Sequence, residues 1–165
     1  MIWIAQDVKL DNYFGRDKYS DLPKSTGKIY DDLMMRHWDS WSDGSYSHIF
    51  VASFENGKIS GRLTDIMKDE HYDSPMKPDG GEEQISWRPD GKVLAYTCKK
   101  AVGREYALNT NSDIFLYDVE SKKTSNLTEG MVGYDKNPAF SPQGNQIVWE
   151  SQLENGNEAD RHRLF

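Results

Sequence analysis

The densest chemistry in this sequence lies in one short run, Arg36-His37-Trp38-Asp39-Ser40-Trp41. A guanidinium, an imidazole and a carboxylate among tryptophans could line a ligand cleft through ion pairing and stacking. The same residues could instead be packing, with the tryptophans covering a sheet face while Arg36 and Asp39 pair at a helix end. The sequence favours packing, and Arg36, His37, Trp38, Asp39 and Trp41 are the one candidate cleft or packing cluster. Elsewhere the chemistry is thin. His37, His48, His71 and His162 are scattered, and Cys98, set in the apolar run 93–98, reads as a buried, inert thiol. There is no Gly-x-Ser-x-Gly elbow, no Gly-x-x-x-x-Gly-Lys phosphate cradle, no dinucleotide fingerprint and no His-Glu-x-x-His. Glu82-Glu83 stands beside an expected first strand and reads as a solvated strand entry. No catalytic residue, cofactor or metal ligand is assigned from these residues.

Composition narrows the class. A net charge of −7 over 165 residues argues against a nucleic-acid partner, because nothing neutralises a row of phosphates. Aromatic residues reach 12%, and 13 Gly and 6 Pro punctuate the chain, which suits many short strands. One cysteine excludes an internal disulfide, no stretch approaches the roughly 20 apolar residues of a membrane span, and no signal peptide precedes the first strand.

The elements that would position any site come from internal similarity. Trp87-Arg88-Pro89-Asp90-Gly91-Lys92-Val93-Leu94-Ala95-Tyr96 matches Phe140-Ser141-Pro142-Gln143-Gly144-Asn145-Gln146-Ile147-Val148-Trp149 at a constant offset of 53 residues. Proline presets the first corner, Asp or Gln takes the second, and glycine accepts the left-handed position, so each copy predicts a tight hairpin. Between these hairpins a second one repeats. Ile49–Phe54 leads through Asn56-Gly57 to Leu63-Thr64, and Ile114–Val119 leads through Ser121-Lys122 to Leu127-Thr128. Together they make a four-stranded unit, complete over 85–128 with strands near 85–88, 93–98, 113–119 and 123–128. A period near 50 residues points to stacked sheets around an axis.

The fold expected is all-β: a partial β-propeller of about two to three four-stranded antiparallel blades spanning 1–165. The first blade supplies strands two to four over 1–64, with an insertion at 9–46. The second is 85–128, and the third, incomplete, is 138–165. Within the insertion, Ile29, Leu33 and His37, and likewise Tyr30, Met34 and Trp38, recur at i+4, which predicts a short helix near 28–38. Residues 65–83 should wrap from one blade to the next. Both ends of the chain should fall inside a blade.

The hairpins resemble the TolB-type, WD-like propeller repeat, with Arg88 where that repeat has Ser and Gln143 where it has Asp. Residues 29–39 followed by Ser47-His48-Ile49-Phe50-Val51, and Asp73-Ser74-Pro75 followed by Gly80-Gly81-Glu82-Glu83, resemble the amino-terminal propeller of the prolyl oligopeptidase family. The likeness is to its dipeptidyl peptidase five and acylaminoacyl peptidase branch, over essentially the whole chain. The resemblance implies a parent protein in which a propeller caps an α/β-hydrolase domain. Its Ser-Asp-His triad would lie outside these residues, it would cleave short peptides, and it would work in the periplasm or after secretion. The partners implied are the missing blades and hydrolase domain, a peptide substrate in the parent, and other copies of the fragment through unsealed blade faces. The chain itself would be no enzyme. A TolB-like protein-interaction propeller is the alternative function, and a propeller sugar lyase with metal on His37, His48 and His71 is the third.

Overall fold

A computed structural model describes residues 1–165, and they fold into strands with few helical turns. Strands β1 (Ile2–Lys9), β4 (Ser45–Glu55) and β5 (Lys58–Asp65) form one antiparallel sheet in the order β1-β4-β5. The miniature strands β2 (Arg36–His37) and β3 (Ser40–Trp41) pair separately inside the long connection from β1 to β4. Strands β6 (Ile85–Trp87), β7 (Val93–Cys98), β8 (Asp113–Asp118) and β9 (Lys123–Asn126) make a four-stranded meander. Strands β10 (Lys136–Phe140), β11 (Ile147–Ser151) and β12 (Arg163–Leu164) make the last sheet. Two helical pieces, α1 (Gly15–Lys18) and α2 (Gly103–Leu108), sit in connections.

The turns follow from residue type. Asn56 and Gly57 take φ of 50° and 76°, the left-handed pair a two-residue hairpin needs, and Glu55 faces Lys58 across it. The two matched hairpins form the same bonds 53 residues apart. Arg88 N donates to Val93 O (2.9 Å) and Gly91 N to Arg88 O (2.8 Å), while Ser141 N donates to Gln146 O (2.9 Å) and Gly144 N to Ser141 O (2.8 Å). Their sequence differences compensate. In the first hairpin the Asp90 carboxylate accepts from Lys92 N (3.0 Å) and pairs with Arg88. In the second, where Gln143 replaces the acid, the Ser141 hydroxyl accepts from Gln146 N (3.2 Å).

The links between sheets also repeat a device. Ser74 N donates to Ser47 O (2.8 Å) and Asp135 N to Ser112 O (3.2 Å), so one link folds back on the start of β4 and the other on the start of β8. The Ser74 hydroxyl then donates to Thr97 O on β7, which stitches the first sheet to the second.

The core lies between these two sheets: Ile49 and Val51 on β4, Leu94, Tyr96 and Cys98 on β7, Phe115 and Tyr117 on β8, with Met67 and Ile85. Strand β7 is buried at all six positions because β10 packs over its other face, so it is apolar at every position but Thr97 rather than alternating. Burial raises the Cys98 thiol pKa far above its usual value, which keeps it protonated and unreactive.

The helix expected near 28–38 does not form. Asp32 Oδ1 accepts from Leu33 N (2.8 Å), a local side-chain bond that competes with helical pairing. Ile29 N donates to Tyr13 O (2.8 Å) and Ser42 N to Met35 O (3.0 Å), which ties the backbone into loops and the β2–β3 hairpin. The apolar stripe has no face to pack on, since Leu33 and Trp38 are exposed, and a short helix without tertiary packing is marginal. The insertion runs 10–44, between the ends of β1 and β4. No helix of the fold is long and apolar enough to cross a membrane.

One buried acid gives a pH prediction. Asp135 is fully buried between the second and third sheets, and neither carboxylate oxygen has a well-formed hydrogen bond. Burial raises its pKa above the usual carboxylate value, against the opposing pull of the nearby Ser151, Thr128 and Trp149 donors. The folded state therefore holds this proton more tightly than the unfolded chain, so stability falls as pH rises from the unfolded value through the folded one. Asp135→Asn should flatten that fall. Urea unfolding should show a higher midpoint than wild type at pH 7 and no gain at pH 3, where the acid is already neutral.

Candidate functional site

An open cleft of about 700 Å³ lies among the connections. Three connections build it: the 10–44 insertion, the 66–84 link and the stretch between β7 and β8 that carries α2. Its mouth and walls are aromatic and acidic. Tyr13 and Tyr30 rings lie 4.7 Å apart, Trp41 stacks on Tyr30 at 6.0 Å, and Tyr106 of α2 also lines the cleft.

Two close approaches hold the cleft in shape. Gly44 takes a φ of +87°, and a Cβ there would lie 2.2 Å from the Asp11 carbonyl oxygen, so only glycine lets β4 begin against the end of β1. Its carbonyl accepts from both Leu10 N and Asp11 N at 3.0 Å, which sets the position of Asp11. On the other wall, Gly103, at φ +55°, abuts the Asp32 carboxylate and brings α2 against the insertion. Lys99 braces α2 from beneath by donating to Tyr106 O (2.7 Å) and Asn109 O (2.6 Å).

Asp11 is the hub of the floor. Its Oδ2 accepts from the Tyr46 hydroxyl (2.7 Å) and the Tyr13 hydroxyl (3.2 Å), and its Oδ1 stands 3.3 Å from His71 Nε2. Tyr46 meets the His71 ring edge-on at 5.3 Å. Burial, and then donation to Asp11, raise the Tyr46 pKa far above the usual phenol value, so it stays a neutral donor. Beside this group, Lys77 bonds Ser45 O and lies 3.0 Å from Asp7 and 3.4 Å from Asp73. Burial pulls the Lys77 pKa down, but Asp73 and Asp7 outweigh it and the net shift is upward. Asp73, which accepts from Ser47 N (2.7 Å), is shifted up, chiefly by burial. The set orients donors and acceptors around a cavity. Its central carboxylate is matched with two phenols and faces an imidazole.

Of the candidates from the sequence, Arg36, His37 and Trp41 line the cleft, whereas Trp38 and Asp39 at the hairpin tip do not. The packing role expected of them is not what the structure holds. Trp38 is 75% and Trp41 55% exposed, and Arg36 stands over the Trp41 ring (5.7 Å) instead of pairing with Asp39. His48 is separate from His37 and His71. It is buried, with Nδ1 against Asp65 (2.9 Å) and Nε2 against Glu70 O (2.8 Å), so the three histidines do not converge on one metal. No group of three or more His, Cys, Asp or Glu side chains is placed to hold a metal ion. Sequence reading named His71 only as a metal ligand of the sugar-lyase alternative and passed over Asp11, Tyr13, Tyr46, Lys77 and Tyr106, which carry no motif and, Tyr46 at the start of β4 apart, lie inside connections.

Comparison with known proteins takes in nearly the whole chain. The chain is 48% identical over 167 residues to the dipeptidyl-peptidase 5 of Porphyromonas gingivalis, an alignment that takes in 99% of the chain. It is similar to dipeptidyl-peptidase 5. The Porphyromonas endodontalis dipeptidyl-peptidase 5 is 44% identical over 159 residues, and that of Aspergillus fumigatus 26% over 165. The chain spans about a quarter of the length of these dipeptidyl-peptidase 5 relatives. No family profile matches it.

Proposed function

We propose that this chain is the non-catalytic, substrate-access part of a serine exopeptidase that cleaves short peptides. Its three larger sheets would be successive blades of a TolB-type propeller. The carrying observation is the 48% identity to a dipeptidyl-peptidase 5 across nearly the whole chain, against only 24% of that protein's length. The fold supports it in two ways. Hairpin bonds recur at a fixed 53-residue offset, as successive blades require. Each sheet also sends its longest excursion between equivalent strands, and the excursions touch: Gly103 abuts Asp32, and Thr110 N donates to Asn155 Oδ1 (2.9 Å). Loops gathered at one end of stacked sheets form a rim that can restrict entry to a site beneath. The missing blades and a hydrolase domain carrying the triad are the partners in this reading, and the parent works in the periplasm or outside the cell.

The test uses the coding sequence on both sides of the chain. The extended protein should release dipeptides from chromogenic dipeptidyl substrates, lose that activity when the serine of a Gly-x-Ser-x-Gly elbow is replaced, and fractionate outside the cytoplasm. The 165-residue chain alone should hydrolyse none of these substrates. Hydrolysis by the isolated chain, or an extended protein with propeller repeats and no hydrolase activity, would end the proposal; the second outcome would favour a TolB-like interaction module.

A further inference from the structure

The tripeptide Glu-Asn-Gly occurs twice, at 55–57 and at 154–156, and both copies are exposed. An asparagine followed by glycine is chemically labile, because glycine has no side chain to keep its backbone nitrogen away from the neighbouring amide. Exposure does not separate the two copies, but hydrogen bonding does. At the second, Asn155 Oδ1 accepts from Thr110 N (2.9 Å) and Gly156 N donates to Thr110 Oγ1 (3.0 Å). One threonine therefore holds both the amide that would be attacked and the nitrogen that would attack it. At the first, Gly57 N makes no backbone hydrogen bond, and nothing lies within 4 Å of a carbon added at Gly57. Asn56 and Gly57 take φ of 50° and 76°, the signature of one of the two primed hairpin turns. Those turns differ by a flip of the central peptide. The flip swings Gly57 N toward the Asn56 amide and leaves intact the Glu55–Lys58 pair that closes the loop.

We propose that Asn56 is a site of spontaneous deamidation, a covalent modification that needs only water, and that Thr110 shields Asn155 from the same reaction. Gly57 N gives its proton to solvent and attacks Asn56 Cγ. The N–Cγ bond forms, the Cγ–Nδ2 bond breaks, and the amide nitrogen takes up a proton and leaves as ammonia. A five-membered imide remains. Water opens it at one of its two carbonyls. Opening at Cγ restores the ordinary backbone with an aspartate side chain, whereas opening at the main-chain carbonyl gives isoaspartate, whose extra carbon lies in the backbone. No electron is gained or lost. Either product makes the chain one charge more negative than −7. The isoaspartyl form also lengthens the two-residue loop, so the Glu55–Lys58 and Phe54–Ile59 pairs should open at the tip, away from Ile49 and Val51 in the core.

The test incubates the 165-residue chain in mildly alkaline buffer, folded and in parallel in urea, and follows its proteolytic peptides by mass spectrometry. In urea both sites should convert at similar rates, since each reads Glu-Asn-Gly. In the folded chain the Asn56 peptide should gain the mass difference between an amide and an acid and split into two isomers. The Asn155 peptide should convert about tenfold more slowly, the scale of two hydrogen bonds that must break first. Thr110→Val, which deletes the Oγ1 acceptor, should speed conversion at Asn155 a few fold and leave Asn56 unaffected. Asn56→Gln should remove most of the acidic shift that the folded wild type develops on isoelectric focusing. Asn56 staying intact in the folded chain while the urea sample converts, equal rates at the two folded sites, or an Asn155 rate indifferent to Thr110→Val would overturn the proposal.

Discussion

Leu94→Ala should remove much of the stability of the 165-residue chain. Leu94 is fully buried on β7, at the centre of the cluster formed with Ile49, Tyr96 and Phe115. Truncating a leucine in such a place costs the transfer free energy of the lost carbons plus the cavity left behind, about 2–5 kcal/mol. A domain of this size has only about 5–15 kcal/mol in total. Collapse cannot relieve the cavity, because β7 is covered on both faces, by Ile49 and Val51 of β4 and by β10. Leu164→Ala at the exposed β12 is the control and should stay within about 0.5 kcal/mol of wild type. Urea titrations of the two variants separate the cases. A Leu94→Ala midpoint matching that of Leu164→Ala would mean the two sheets do not share one core.

Gly44→Ala should damage the cleft more selectively. The left-handed φ alone costs about 1–3 kcal/mol for a side-chain-bearing residue. The new Cβ would also lie 2.2 Å from the Asp11 carbonyl oxygen, a backbone atom that can move only if β1 and β4 part at that end. The bonds from Leu10 N and Asp11 N to Gly44 O would go with it, and Asp11 would leave its place beneath Tyr46 and His71. The expected result is a loss of about 2–4 kcal/mol in the unfolding free energy, together with a fall of the Tyr46 pKa toward the ordinary phenol value as its bond to Asp11 is lost. Gly57→Ala is the comparison, since its φ is also positive but nothing lies within 4 Å of the added carbon. If both variants unfold at the same urea concentration and Tyr46 titrates as in wild type, the Gly44–Asp11 contact does not hold the site.

The strands were readable because their cause is local. Trp87–Tyr96 and Phe140–Trp149 carry Pro and Gly at the two corners that need them, and those residues dictate turn geometry wherever they occur. The expected strands near 85–88, 93–98, 113–119 and 123–128 are β6 to β9, within a residue or two at each end. The segment 28–38 went the other way. Its i+4 stripe matched a helix, but a stripe needs a face to bury against, and here Asp32, Tyr13 and Met35 supplied competing hydrogen bonds. Helix α2 gave no comparable pattern, being six residues held by the neighbouring Lys99 and by the Gly103–Asp32 approach, the second of them a long-range contact.

Residue order by itself determined an all-β chain with hairpins at a 53-residue spacing, an apolar central strand at 93–98 and the place of the long insertion. Those properties follow from backbone preferences and side-chain polarity acting over a few residues. Only the tertiary structure decided the cleft. Asp11, Tyr46 and His71 are 35 and 25 residues apart in turn, and they meet because β1 and β4 pair in register and the 66–84 link folds back on Ser47. Side-chain chemistry at such separations depends on which backbones become neighbours, and that is settled by the packing of whole sheets rather than by any local pattern.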